Sequence, residues 1–278
     1  MTNLNHSLME PYTWNIKPSL FYIIFIKSIF NTLLFIFKKI ENVIKLFRFL
    51  QFTFLPLNII KKPFIGIINY NWNTFYSFEK FIIINNIPIF KIGNSNTKIL
   101  YIHGGGFISG DYMTFRSLCI TIYKKMIENG KNIEIWFPNY TLYSNNSDFI
   151  NNAINEINYI YSLHQFDSVI ADSAGGYLAL QIKSPKKLLL ISPVTDLSCS
   201  SKKYYEDDIN FNPQLVKKIF KKIFNTTLTI NNTLENTQII IFVSKNELFI
   251  EDALQLKNKT NNTTITPTGK KNETKTQL

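Results

Sequence analysis

Two short stretches carry the residue types that acyl-transfer chemistry needs. Ala171-Asp172-Ser173-Ala174-Gly175-Gly176 directly follows the apolar pair Val169-Ile170 and opens a segment with helical patterning. A serine on a sharp strand-to-helix turn has its hydroxyl held clear of the sheet. The start of the helix supplies backbone N–H groups toward the negative charge that develops during attack on a carbonyl. Backbone and neighbouring strands approach closely at such a turn, so small residues are needed two before and two after the serine. Gly175 meets that need, and Ala171 departs from glycine by a single methyl group.

The second stretch, His103-Gly104-Gly105-Gly106-Phe107, comes about 70 residues earlier, after the apolar run Lys98–Ile102. Consecutive glycines let the backbone turn its N–H groups into a cavity, which is what an oxyanion hole requires. An ordinary glycine loop or a phosphate-binding loop is the alternative. A P-loop is disfavoured, because no Gly-Lys-Ser/Thr follows.

The elements that must position these stretches are legible from patterning. Phe81–Ile84 and Ile87–Ile92 read as strands of a hairpin around Asn85-Asn86. Strands are expected at Lys98–Ile102, Ile133–Phe137, Ser168–Ala171, Lys187–Ile191 and Ile239–Val243. Helices are expected at Phe115–Asn129, Ser147–Leu163, Ala174–Ile182 and Glu247–Lys257. Strands alternating with helices imply an α/β fold, a mainly parallel sheet with helices on both faces. Residues 198–237 interrupt the rhythm with a Lys/Phe/Ile-rich segment and Asn/Thr turns, an expected cap insertion over the sheet.

In this order, each after a strand, the two motifs resemble those of the hormone-sensitive-lipase-like branch of the α/β hydrolases. The resemblance covers residues 79–270. It extends to Pro138-Asn139-Tyr140-Thr141-Leu142, to Leu190–Leu197, and to Ile239–Leu248 with its Ser244-Lys245-Asn246-Glu247 turn. With the hydrophobic N-terminus, the chain resembles the fungal steryl acetyl hydrolase type, an endoplasmic-reticulum membrane enzyme. The resemblance implies an esterase acting on lipid-like or acetylated sterol esters, with no cofactor. It implies Ser173 as nucleophile and Gly105, Gly106 and Ala174 as donors of the oxyanion-hole N–H groups. It implies that His103 braces the loop and that Glu247 stands at the triad acid. Glu251 and Asp252 lie further into the expected helix and are weaker candidates.

A triad also needs a histidine to take the serine proton. The family carries it in a turn after the last strand. Thr264–Thr266 fits that strand, and Lys271 stands where the histidine is expected. His164 falls at the opposite end of the strand before Ser173, about 17 Å away at ~3.3 Å per residue. Two expectations therefore compete: a serine esterase, or a catalytically impaired relative that keeps the pocket and binds lipid or a protein partner.

Composition bounds the remaining classes. With 278 residues, 45% of them hydrophobic and 15% aromatic, the chain can bury a sizeable core. The net charge of +11 is spread along the sequence, so no nucleic-acid partner is expected. Cys119 and Cys199 lack metal-ligand spacing, and no metal site is expected. Residues 1–78 are expected to associate with a membrane. Either Leu20–Phe37 is an anchor, or that stretch and Val43–Ile60 are amphipathic helices that cover the site or lie in the interface. Lys27 in the middle of the first stretch opposes the anchor by about 3 kcal/mol. A polar tail, 271–278, completes the expected organisation.

Overall fold

A computed structural model describes residues 76–143, 148–197, 234–244, 249–260 and 262–268. The N-terminal segments, nearly all of the expected cap insertion, Glu247 and Lys271 lie outside the described residues.

The chain opens with a hairpin of β1 (Glu79–Ile84) and β2 (Ile87–Gly93). Asn85 (φ 48°) and Asn86 (φ 64°) are both left-handed. That is the backbone a two-residue hairpin turn demands and that asparagine tolerates. Then follow β3 (Lys98–Ile102), α1 (Tyr112–Glu128), β4 (Glu134–Pro138), α2 (Phe149–Leu163) and β5 (Ser168–Asp172). After these come α3 (Ala174–Ala179), β6 (Lys187–Ile191), β7 (Gln238–Ser244), α4 (Ile250–Lys259) and β8 (Thr263–Thr268).

The strands form one eight-stranded sheet in the order β1-β2-β4-β3-β5-β6-β7-β8. The pairs β1–β2 and β2–β4 are antiparallel; every other pair is parallel. The sheet is covered on both faces, which is why the inner strands read as continuous apolar runs. Along β3 and β5 the side chains alternate between two cores. Leu100, Ile102, Val169 and Ala171 pack with α2, α3 and α4. Ile99, Tyr101 and Ile170 pack with Tyr112, Cys119 and Ile120 of α1. The inward stripe of α2, Phe149, Ile150, Ala153, Ile157 and Ile160, follows helical spacing. Each phenylalanine or isoleucine of that stripe contributes about 1.5–3 kcal/mol on burial, so a charge at Ile157 would be strongly destabilising.

Several expected boundaries move, two of them for an evident local reason. Helix α1 starts three residues earlier than its apolar periodicity, because the Asp111 side chain caps it by accepting from the Thr114 amide at 2.8 Å. Helix α3 ends at Ala179 rather than Ile182. The Gln181 and Ile182 amides bond to Leu178 and Ala179 carbonyls three residues back, a tightened turn that leaves the α-helix.

The topology fixes where a ligand belongs. From β3 the chain crosses to β4 on one side, and β5 then returns to the other side of β3. The carboxyl ends of β3 and β5 thus flank the point where the strand order reverses, the crevice in which open α/β sheets bind their ligands. The glycine stretch leaves β3 and Ser173 leaves β5 at that crevice.

Candidate active site

Ser173 sits between β5 and α3 with φ 48° and ψ −120°, a conformation that costs a non-glycine residue about 1–3 kcal/mol. Three bonds hold it. Its amide donates to the Ile191 carbonyl at 2.9 Å, and its own carbonyl accepts from the Gly176 and Val194 amides at 3.0 and 2.9 Å. The residue is partly exposed, whereas Ala174, Gly175 and Gly176 are buried. The need for small neighbours is met as expected. Ala171 is fully buried, and its methyl packs in the core. The departure from glycine at that position is therefore absorbed.

The loop after β3 has a run of left-handed residues: Gly105 (φ 113°), Gly106 (φ 62°) and Phe107 (φ 61°). The Gly105 carbonyl accepts from the amides of Ile108 and Ser109 and from the Ser109 hydroxyl, each at 3.1 Å. Tyr143 donates its amide to the Phe107 carbonyl at 2.7 Å. Carbonyls are thus engaged within the protein. Among the described residues, the amides of Gly105, Gly106 and Ala174 take part in no hydrogen bond. They remain available for a negatively charged oxygen. Phe107 anchors the loop, buried against the edges of Phe149 and Tyr177.

His103 lies under this loop. Its ring stacks on Tyr140 at 4.3 Å, Phe137 at 5.3 Å and Phe115 at 5.7 Å. Nδ1 donates to the Gly104 carbonyl at 2.7 Å, and the His103 carbonyl accepts from the Tyr140 hydroxyl at 2.7 Å. That assigns the proton to Nδ1 and leaves Nε2 bare, buried and without a partner. Burial pushes the pKa down to about 4, so the ring is neutral at pH 7. The ring is packed between the aromatic side chains and the first carbonyl of the loop. His164 caps the C-terminal end of α2 against Trp136 and Phe166, before β5 begins. It stands at the end of the sheet away from Ser173.

Glu247 falls in the connection between β7 and α4, and Lys271 follows β8; both lie outside the described residues. Of the weaker acid candidates, Asp252 is buried in the first turn of α4. Its backbone carbonyl accepts from the Thr195 hydroxyl at 3.3 Å. Among the described residues, no cluster of side chains could hold a metal ion, and no helix is long and apolar enough to cross a membrane.

Sequence reasoning missed two groups at the site. In the sequence Asp172 stands only as part of the serine motif, and Tyr101 lies within the Lys98–Ile102 strand. The structure joins them: the Tyr101 hydroxyl donates to Asp172 Oδ1 at 3.0 Å. A carboxylate in an otherwise apolar strand, next to the serine, was the available signal.

No family model matches the chain, and no curated protein matches it. Solved structures do. EstE5 aligns with a TM-score of 0.57 at 19% identity, over 68% of this chain and 73% of its own. EstE7, a hormone-sensitive-lipase homologue from a metagenome library, aligns at 0.55 and 18%, over 69% and 76%. An esterase/lipase from an uncultured bacterium aligns at 0.57 and 18%, over 81% of this chain and 87% of its own. The sheet order, the strained serine after β5 and the glycine loop after β3, together with these alignments, show that this chain has the α/β-hydrolase fold.

Proposed function

We propose that the protein is a serine carboxylic ester hydrolase. The observation that carries this reading is the pairing of a strained, partly exposed Ser173 with the uncommitted amides of Gly105, Gly106 and Ala174 at one crevice. Ser173 Oγ attacks the ester carbonyl as its proton passes to a base. The carbonyl oxygen becomes an oxyanion and is held by the three amides. Collapse expels the alcohol and leaves an acyl-enzyme, which water then hydrolyses by the same route. Glu247 is the acid that orients the base. The names of the similar structures, esterases and lipases of the hormone-sensitive-lipase family, support the same reaction class. The hydrophobic residues 1–78 support a membrane-associated enzyme, at the endoplasmic reticulum, acting on lipid-like or acetylated sterol-type esters.

One observation favours a second reading. Neither described histidine is placed to take the Ser173 proton: His103 is packed beneath the loop, and His164 stands at the far end of β5. The second reading is an impaired relative that keeps the pocket and binds lipid or a protein partner. Hydrolysis of p-nitrophenyl acetate and longer-chain esters separates the two. Turnover abolished by Ser173→Ala supports the hydrolase. A folded protein no faster than its Ser173→Ala variant supports the binding protein.

A further inference from the structure

The two halves of the site meet at Asp172. Tyr101 pairs with Ile170 across β3 and β5, and the two-residue repeat of a strand brings Asp172 to the same face as both. Its Oδ1 accepts from the Tyr101 hydroxyl at 3.0 Å. Contributions from the backbone of Gly104 and of Asp172 itself favour its charged form. The approach to the loop is close. A Cβ built on Gly104 would lie 2.3 Å from Asp172 Oδ2, 2.9 Å from Ser173 Cβ and 3.0 Å from the Asp172 carbonyl oxygen. Only a residue without a side chain lets the loop lie on the serine turn at this point.

We propose that Asp172 is a positioning residue: its carboxylate fastens the Gly104 backbone to the Ser173 turn and so sets the Gly105 and Gly106 amides in register with the nucleophile. A carboxylate drawn partly out of water is costly unless donors meet it, and here Tyr101 donates from the strand beside it while the loop backbone closes on its other oxygen. Tyr101 holds one oxygen against rotation and leaves the other toward Gly104. The three aromatic contacts of His103 and the Tyr140 hydroxyl bond fix the residue before Gly104 independently. The role of Asp172 is therefore the fine placement of the loop rather than its existence. Burial raises the Asp172 pKa to about 6, which leaves it ionised at neutral pH.

This inference rests on the reading of Ser173 as a nucleophile, and its test separates the two. The full chain and Asp172→Asn are compared by amide hydrogen exchange and by the rate of modification with a fluorophosphonate. Asparagine keeps the shape but offers one acceptor oxygen and no charge. Exchange at the Gly104, Ile108 and Ser109 amides is expected to speed up about tenfold, with exchange in β6 and β7 unchanged. Maximal modification rate is expected to fall about 10- to 100-fold, the effect of losing one charge-assisted hydrogen bond, with half-saturation unmoved. Faster loop exchange in a protein whose parent is inert to the probe sinks the nucleophile reading and leaves the brace standing. Unchanged loop exchange overturns the brace, as does exchange that rises equally throughout the sheet. If Asp172→Asn does not fold, Tyr101→Phe serves instead, with a several-fold change expected at the same amides and no change overturning the proposal.

Discussion

Gly175→Ala removes no functional group, yet it should damage both stability and the site. Gly175 has an ordinary negative φ, so the issue is space. A Cβ there would lie 2.3 Å from the Ile102 carbonyl oxygen, 2.6 Å from the His103 carbonyl oxygen and 2.9 Å from the Ile102 carbonyl carbon. All three are backbone atoms at the end of β3, and none can swing aside as a side-chain tip would. Overpacking of a core typically costs 1–3 kcal/mol, and rigid neighbours put this case at about 3 kcal/mol. At roughly 2–4 °C per kcal/mol for a domain of this size, the melting temperature should drop by about 6–12 °C. The clash can be relieved only by moving α3 away from β3, which carries Ser173 away from the Gly105 and Gly106 amides. A displacement of about 1 Å costs on the order of 100-fold in rate. Gly130→Ala is the control. Nothing lies within 4 Å of its Cβ position, but its φ is +72°. It should lose about 1–2 kcal/mol through backbone strain alone, with ester hydrolysis per folded molecule unchanged. Circular-dichroism melts and initial rates read both. A Gly175→Ala protein that melts within 2 °C of the parent and hydrolyses ester at the same rate would refute the close approach (~2 °C being under 1 kcal/mol).

Other perturbations test the supports of the site. Tyr140→Phe leaves the buried His103 carbonyl without its donor and should cost about 1–2 kcal/mol in a urea melt, with a several-fold loss of esterase rate. Asp172 and His103 should make opposite contributions to acid stability. The folded Asp172 pKa of about 6 lies above its ordinary value, so folded protein binds the proton first and this group stabilises as pH falls from 6 toward 4. The folded His103 pKa of about 4 lies below its ordinary value, so this group destabilises as pH falls from 6.5 to 4. The two contributions oppose each other over the same pH range. The stability of Asp172→Asn relative to the parent should therefore fall as pH drops from 7.5 to 4.5. Equal differences at both pH values would count against a buried, raised-pKa carboxylate.

The local elements were readable because each has a local cause. Asn85-Asn86 announces the hairpin, and the glycine run and the serine motif each follow a continuous apolar strand of the kind a two-faced parallel sheet produces. The neighbours that matter most at the site were not readable. Tyr101 and Asp172 are 71 residues apart and meet only because β3 and β5 pair in one register. Periodicity assigns a residue to a face but not to a partner on the next strand. The start of α1 was hidden for a different reason: its first turn is set by the Asp111 cap rather than by apolar spacing. The last strand, β8, is longer than the expected Thr264–Thr266, extending over Thr263–Thr268. It carries threonines and a proline at the sheet edge, where the hydrophobic signal is weakest and proline is tolerated.

The most direct measurement is mass-spectrometric mapping of a fluorophosphonate adduct on the purified full chain, with Ser173→Ala as control. An adduct confined to Ser173 and absent from the variant is the expected result, and it means that a base activates the hydroxyl beside the glycine loop. A folded protein that acquires no adduct at Ser173 would contradict the hydrolase reading and leave the crevice as a binding site.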